Sequence, residues 1–141
     1  MASSIIGALR DYFLSCPLLG DKPLNIDYLP ERGLEYSIDT TPATEIVKRY
    51  TDGSSIRQYL FVIRSVNDYG PDALQNIANS GLFELIAEWL ENQTKRGNLP
   101  ELPQGKRAQR IEAQSTAYLF AKGPSTGKYQ IQCRLQYFQE G

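Results

Sequence analysis

Residues 45–64 have the sequence EIVKRYTDGSSIRQYLFVIR, and this segment sets the architecture expected of the whole chain. Asp52-Gly53 separates two runs rich in β-branched and aromatic residues, which is the strongest short-range signal for a β-hairpin. The second run contains residues 59–63, YLFVI, without a polar side chain. Such a run is typical of a central strand covered on both faces. The segment therefore predicts a hairpin whose second strand lies inside a sheet.

The flanking sequence adds further strands. Residues 129–138 alternate strictly between apolar and polar side chains up to Tyr137, which predicts a strand with one wet face. Residues 110–121 predict its partner across a turn at residues 122–127. Upstream, residues 24–28 and 34–38 show the same two-residue period and predict two short strands.

Two segments have helical spacing instead. The first helix has a cap at Ser3 or Ser4 and ends before Cys16-Pro17. The second helix follows a turn at residues 67–71, has Gly81 as a candidate bend or break, and is capped by Gly97. Its expected apolar stripe consists of Leu74, Ile77, Ala78, Leu82, Leu85, Ile86, Trp89 and Leu90.

The length of 141 residues suits one domain, here residues 1–141. Because strands and helices are not in regular alternation, the predicted class is α+β. We expect a mixed, mostly antiparallel sheet of about five to six strands, with two main helices packed on one face.

Composition removes several function classes. Fifteen Lys and Arg against sixteen Asp and Glu give a formal charge of −1, which argues against a nucleic-acid binder. The chain has no His, so a Ser-His-Asp or Cys-His mechanism is impossible within one chain. Two Cys residues are too few for a four-thiolate metal site, and Cys133 falls on an apolar strand face that predicts an inert thiol. We expect no enzymatic activity, no cofactor and no metal.

Three further features have simpler interpretations than catalysis or nucleic-acid binding. The segment Gly123 to Lys128 has glycines one residue too close for a phosphate-binding loop and leads into a strand, so a hairpin turn is favoured. Asp68 and Asp72 are candidates for an acid/base pair or a magnesium site, but acidic residues at a helix start also complement its dipole. The many tyrosines favour a protein interface over base stacking.

Four segments that together cover nearly the whole chain resemble a family of small phage proteins, found in prophage tail and head modules and described as minor capsid proteins. The segments are residues 5–19 (IIGALRDYFLSCPLL), residues 24–91 (from LNIDYLPERGLEYS to LFELIAEWLE), residues 97–120 (GNLPELPQGKRAQRIEAQSTAYLF) and residues 129–140 (YQIQCRLQYFQE). The order of elements is also similar to that of tail terminator proteins of long-tailed phages.

The resemblance implies a structural role at the head–tail junction of a virion, after synthesis in the bacterial cytoplasm. Tail terminators assemble as a six-membered ring on the finished tail tube, stop its polymerisation and present a surface to head-completion proteins. The implied partners are copies of the same chain in a homo-oligomeric ring, expected to be a hexamer, the tail tube protein and a head-completion protein. At most non-specific DNA contact in the lumen is expected, and no membrane.

A cyclic ring needs two different patches that meet. The expected first patch is the hairpin with Arg49, Tyr50, Asp52, Arg57 and Tyr59, and the second is the loop from Leu99 to Lys106, including Leu102. Three alternatives remain open: another head-completion or minor capsid protein, a small ligand-binding domain or enzyme that uses Asp, Tyr and Lys, and a nucleic-acid module.

Overall fold

The computed structural model describes residues 4–20, 22–30, 35–68, 73–123 and 125–141, with the backbone alone for residues 68 and 73–76. Within these ranges the chain forms two α-helices and one seven-stranded sheet, so the α+β prediction is confirmed. The elements are α1 (Ile5–Leu14), β1 (Leu24–Ile26), β2 (Glu35–Thr40), β3 (Ile46–Arg49), β4 (Ser55–Asp68), α2 (Ala73–Arg96), β5 (Lys106–Ala113), β6 (Tyr118–Lys122) and β7 (Thr126–Gln139).

Two long strands, β4 and β7, form the centre of the sheet. Each has 14 residues, and they pair antiparallel along their whole length, from Ser55 opposite Gln139 to Asp68 opposite Thr126. The outer edge of β4 is shared by β2 and β3, and the outer edge of β7 by β5 and β6. The predicted central position of β4 is therefore confirmed.

The predicted mixed sheet is confirmed, since β1 pairs with β2 in parallel while the other pairings among the described strands are antiparallel. The strand count differs from the prediction, because the single strand predicted over residues 110–121 is two strands, β5 and β6, which raises the count to seven. A side-chain hydrogen bond marks the break. The Ser115 hydroxyl accepts the Gln132 N–H at 3.2 Å and so replaces a backbone carbonyl in the ladder.

The core lies between one face of the sheet and the two helices. Phe13 of α1 packs on Phe61 of β4 with aromatic centroids 6.0 Å apart, and Phe83 of α2 packs near Tyr129 of β7 at 6.4 Å. The predicted alternation in β7 is confirmed by its buried side chains, Tyr129, Ile131, Cys133, Leu135 and Tyr137. Both helices therefore cover the same face of the sheet.

Helix α2 is continuous, and its buried side differs from the predicted stripe. Gly81 neither breaks nor ends it. Ile77 is 66% exposed and Leu85 is 50% exposed, whereas Phe83, absent from the predicted stripe, is fully buried. The residues that face the sheet recur at three- and four-residue spacing: Asn79, Phe83, Ile86, Leu90 and Gln93. Among the described residues, no helix is long and apolar enough to cross a membrane.

The predicted caps at the start of α1 and at the end of α2 are confirmed. The Ser4 hydroxyl accepts the Gly7 N–H at 3.1 Å at the start of α1. At the end of α2, the Gly97 N–H donates to the Thr94 carbonyl at 3.1 Å and the Asn98 N–H to the Gln93 carbonyl at 3.0 Å. This is the Schellman arrangement, and Gly97 has the left-handed φ of 74° that it requires.

The two glycines of this helix region are expected to respond in opposite directions to alanine. Gly97→Ala should lower the free energy of unfolding by about 1–2 kcal/mol, because a Cβ disfavours left-handed backbone. Gly81→Ala should raise it by about 0.5–1 kcal/mol, since the position is helical and an added Cβ meets nothing within 4 Å. Urea unfolding followed by circular dichroism measures both. Equal shifts of the same sign would contradict the assigned backbone geometry.

Candidate subunit interface

The tip of the β3–β4 hairpin is held rigidly by its own hydrogen bonds. The Tyr50 N–H donates to the Ser54 carbonyl at 2.9 Å, and the Gly53 N–H donates to the Tyr50 carbonyl at 3.2 Å. Gly53 has a φ of 91°, which an Asp-Gly turn uses. The Asp52 carboxylate accepts the Ser54 N–H at 2.9 Å, and the side-chain and backbone hydrogen bonds from Ser54 lower the pKa of Asp52. These hydrogen bonds therefore define the backbone conformation of the turn between Tyr50 and Ser54.

Two cations at the tip are exposed. Lys48 and Arg49 are consecutive residues of β3, so their side chains leave opposite faces of the sheet, and neither makes an ion pair with another described residue. The Lys48 ammonium lies 5.2 Å from the centre of the Tyr50 aromatic ring, which is itself exposed. The exposed Val47 adds apolar surface beside them. We call Val47, Lys48, Arg49 and Tyr50 the hairpin tip.

The third cation of the hairpin is neutralised within the subunit. Arg57 donates from Nη1 to Glu45 Oε1 at 3.0 Å, and the Tyr137 hydroxyl donates to the same oxygen at 3.2 Å. These hydrogen bonds, that from Arg57 above all, lower the pKa of Glu45. Burial and the nearby Glu45 charge raise the pKa of Tyr137 to about 12. Arg57 therefore contributes no unpaired charge to a partner.

The predicted hairpin residues thus fall into two groups. Arg49, Tyr50 and Asp52 are exposed together at the turn. Arg57 and Tyr59 lie further along β4, where Tyr59 packs against the core and its hydroxyl shares a hydrogen bond with Thr40 Oγ1. An interface centred on the turn would include the first group.

The loop proposed as the second patch directs its leucines inward. Leu102 is 7% exposed and belongs to the core, and Leu99 packs against the core. Lys106 is half-buried and starts β5, with its N–H donating to the Pro103 carbonyl at 3.1 Å. Strand β5 begins four residues before the predicted Arg110, which shortens the loop. These leucines therefore have little apolar area left to offer a partner.

A second exposed surface lies on α2, where the sequence pattern had suggested core. Ile77 and Leu85 are exposed on the same helix as the exposed Glu84 and Glu88. Neither glutamate makes an ion pair with a described residue, whereas Glu91 pairs with Lys95 at 3.3 Å. We call Ile77, Glu84, Leu85 and Glu88 the helix face. The exposure of Glu84 and Glu88 agrees with the sequence pattern, whereas that of Ile77 and Leu85 is not visible in it, because both fit the predicted apolar stripe.

The helix face borders a groove of about 460 Å³ between α2 and β5. Glu88 is common to both, and the wall formed by β5 contains Arg110 and Glu112, whose side chains lie 4.0 Å apart. The helix also closes the outer edge of β5, because Thr94 Oγ1 donates to the Ile111 carbonyl at 2.8 Å and accepts the Ile111 N–H at 3.1 Å. A partner at this edge would therefore meet the helix and not an open strand.

The helix-free face of the sheet contains two arginines that are paired with carboxylates. Arg64 binds Asp39 at 2.7 Å and donates from Nε to Gln130 Oε1 at 3.1 Å, and its guanidinium lies 5.1 Å from the Phe120 ring centre. A second pair on this face joins Arg134 to Glu112. These arginines therefore have carboxylate partners, which reduces their availability for phosphates.

The described residues include no cluster of three His, Cys, Asp or Glu side chains that could hold a metal ion. The Asp72 side chain and the Asp68 side chain lie outside the description, so the pair considered above is untested. Cys16 and Cys133 are buried, and burial raises the pKa of both thiols, which makes them poor nucleophiles.

No model of a known protein family matches this chain, and no curated protein matches it either.

Proposed function

We propose that this protein is a tail-terminator-like structural protein that forms a homo-oligomeric ring at the head–tail junction of a phage virion. The observation that carries the proposal is the exposed hairpin tip, which has two cations without an ion-pair partner among the described residues and, beside them, exposed apolar atoms of Val47 and Tyr50. Exposed apolar groups beside charged groups suit contact with another protein. The resemblance of the sequence to small phage capsid and tail proteins indicates that the assembly is a phage virion.

The fold suits a component that bears load between two structures. The continuous 14-residue ladder between β4 and β7 makes the centre of each subunit stiff, and both helices reinforce the same face. In the proposed ring, neighbouring subunits contact each other through their edges. One end of the ring caps the tail tube protein, and the other receives the head-completion protein.

The function is tested by deleting the gene from the phage and measuring tails by negative-stain electron microscopy. The deletion is expected to give tails of variable and excessive length, since nothing stops polymerisation of the tube. Supplying the intact gene in trans is the control and should restore uniform tails. Heads without tails would identify a head-completion protein instead. Normal, infectious particles would contradict a role in the virion.

A further inference from the structure

One half of the helix-free sheet face has cations in register across four strands. Phe138 of β7 lies opposite both Ile56 of β4 and Arg107 of β5, and Ile56 in turn lies opposite Lys48 of β3. Directly opposed residues project from the same face of a sheet. Tyr137 is buried in the core beside the helices, so its neighbour Phe138 and the three residues aligned with it lie on the helix-free face.

A third cation lies one step further along β5. Arg110 is opposite Gln136 of β7, two positions from Phe138, and therefore projects from the same face. Neighbouring strands are about 4.8 Å apart, so the backbones of Lys48 and Arg107, three strand spacings from each other, are separated by about 14 Å. We call Lys48, Arg107 and Arg110 the basic patch.

Aromatic rings, and not carboxylates, hold the two outer cations of the basic patch. The Arg107 guanidinium lies 5.3 Å from the centre of the Phe138 ring, and the Lys48 ammonium lies 5.2 Å from that of Tyr50. Neither cation forms an ion pair with a described residue. A guanidinium that rests on a ring keeps its N–H donors for an anion such as phosphate. Both positive charges are therefore available to a ligand.

Little negative charge balances these cations. Among the described strand residues on this half of the face, the acidic side chain is Glu112, and the next one along β7 is Glu140, which follows the strand. Arg134 holds Glu112 with contacts of 2.6 and 3.1 Å, whereas Arg110 approaches it only to 4.0 Å. The patch therefore has an excess of positive charge, although the formal charge of the chain is −1.

The apolar surface within the patch favours DNA over a protein partner. Between the cations lie Ile56 and Phe138, which are partly buried, and the exposed Tyr50 lies at one edge, in the hairpin tip. A stable protein interface needs an apolar centre, whereas DNA binding draws its affinity from phosphate contacts with Lys and Arg. The Phe138 ring already lies against Arg107, whereas single-strand binding requires rings on which bases stack. These features favour a duplex.

We propose that the basic patch binds the sugar–phosphate backbone of duplex DNA without reading its sequence. Lys48, Arg107 and Arg110 each contact a phosphate, and such contacts fix position and contain no base information. This inference goes beyond the proposed function, since it requires neither a ring nor a tail. In the proposed ring, it assigns the helix-free sheet face to the side that meets DNA.

Fluorescence anisotropy with a short labelled DNA duplex tests the proposal, at protein concentrations where sedimentation shows a monomer. Between about 50 and 200 mM salt, the logarithm of the binding constant should fall linearly with that of the salt concentration, with a slope of about −3 for three phosphate contacts. A second duplex of unrelated sequence should bind equally well. Absence of binding at the lowest salt, or binding that is independent of salt, would overturn the proposal.

Two double variants with the same change in net charge identify the face. K48Q/R107Q removes two charges from the patch and should lower the affinity about a hundredfold at the lowest salt, with a slope of about −1. R49Q/R96Q is the matched control, because Arg49 projects from the opposite face of β3 and Arg96 ends α2. It should lower the affinity less than about threefold, since distant charges are screened. Equal losses would overturn the assigned surface. Circular dichroism verifies that both variants are folded.

Two other polyanions separate duplex DNA from the alternatives. A single strand of the same length should bind more weakly, and polyglutamate should compete at least about tenfold less well than DNA, because the duplex has the highest charge density. Tighter binding of the single strand would indicate base stacking and overturn the duplex assignment. Equal competition by polyglutamate would indicate an acidic protein partner and also overturn it. Neither result affects the tail-length experiment, so this inference and the proposed function fail independently.

Discussion

Phe83→Ala is expected to lower the free energy of unfolding by about 3–5 kcal/mol. The Phe83 side chain is fully buried on the sheet side of α2, with its ring centroid 6.4 Å from that of Tyr129. Removing the ring leaves a cavity between a helix and the central strand β7, which cannot move together to fill it without distorting the ladder. Such a loss is a large part of the roughly 5–15 kcal/mol that stabilises a domain of this kind.

Leu85→Ala is the matched control on the same helix. Leu85 is half exposed, so its truncation should cost at most about 1 kcal/mol in the monomer, from lost burial of a few methylene groups. Urea unfolding at a concentration where the protein is monomeric measures both variants. If Leu85→Ala were as costly as Phe83→Ala, the face of α2 that packs on the sheet would be misassigned.

This pair of residues also shows what the sequence can predict about α2. The capping signals predict the helix and its end at Gly97, because they act through local hydrogen bonds. They do not identify the buried side. Apolar residues occur around much of the helix, and Phe83 is buried while Ile77 is exposed because of where the sheet lies, which is a non-local fact. The same limit hides the helix face, since its Leu85 resembles a core residue.

The strands show the same division. The alternation of β7 and the Asp-Gly turn before β4 are local patterns, and both elements are found where they were predicted. The parallel pairing of β1 with β2 depends on where the chain returns to the sheet, and the break between β5 and β6 depends on the Ser115 hydroxyl. Neither feature leaves a periodic signal. The hairpin was therefore predictable from sequence, and the exposed side of α2 with Ile77 and Leu85 was not.

Arg64→Leu is expected to lower the free energy of unfolding by about 2–4 kcal/mol. Its partner Asp39 is only 12% exposed at the side chain, and the two are joined at 2.7 Å. Ser37 also donates a hydrogen bond to the Asp39 carboxylate, which therefore stays in place when the guanidinium is removed. A mostly buried carboxylate without its cation is costly, because water cannot solvate it fully. Thermal or urea unfolding measures the loss.

Arg57→Leu on the same strand is the comparison that isolates burial as the cause. Arg57 and Glu45 also form an ion pair, at 3.0 Å, but Glu45 is 58% exposed and regains solvent when the guanidinium is lost. The expected cost is therefore about 0–1 kcal/mol. Combining Arg64→Leu with Asp39→Asn should cost less than the sum of the single changes, by about 1–3 kcal/mol, because the amide no longer needs a cation. Additive losses, or equal losses at Arg57 and Arg64, would mean that water already screens the Arg64 pair.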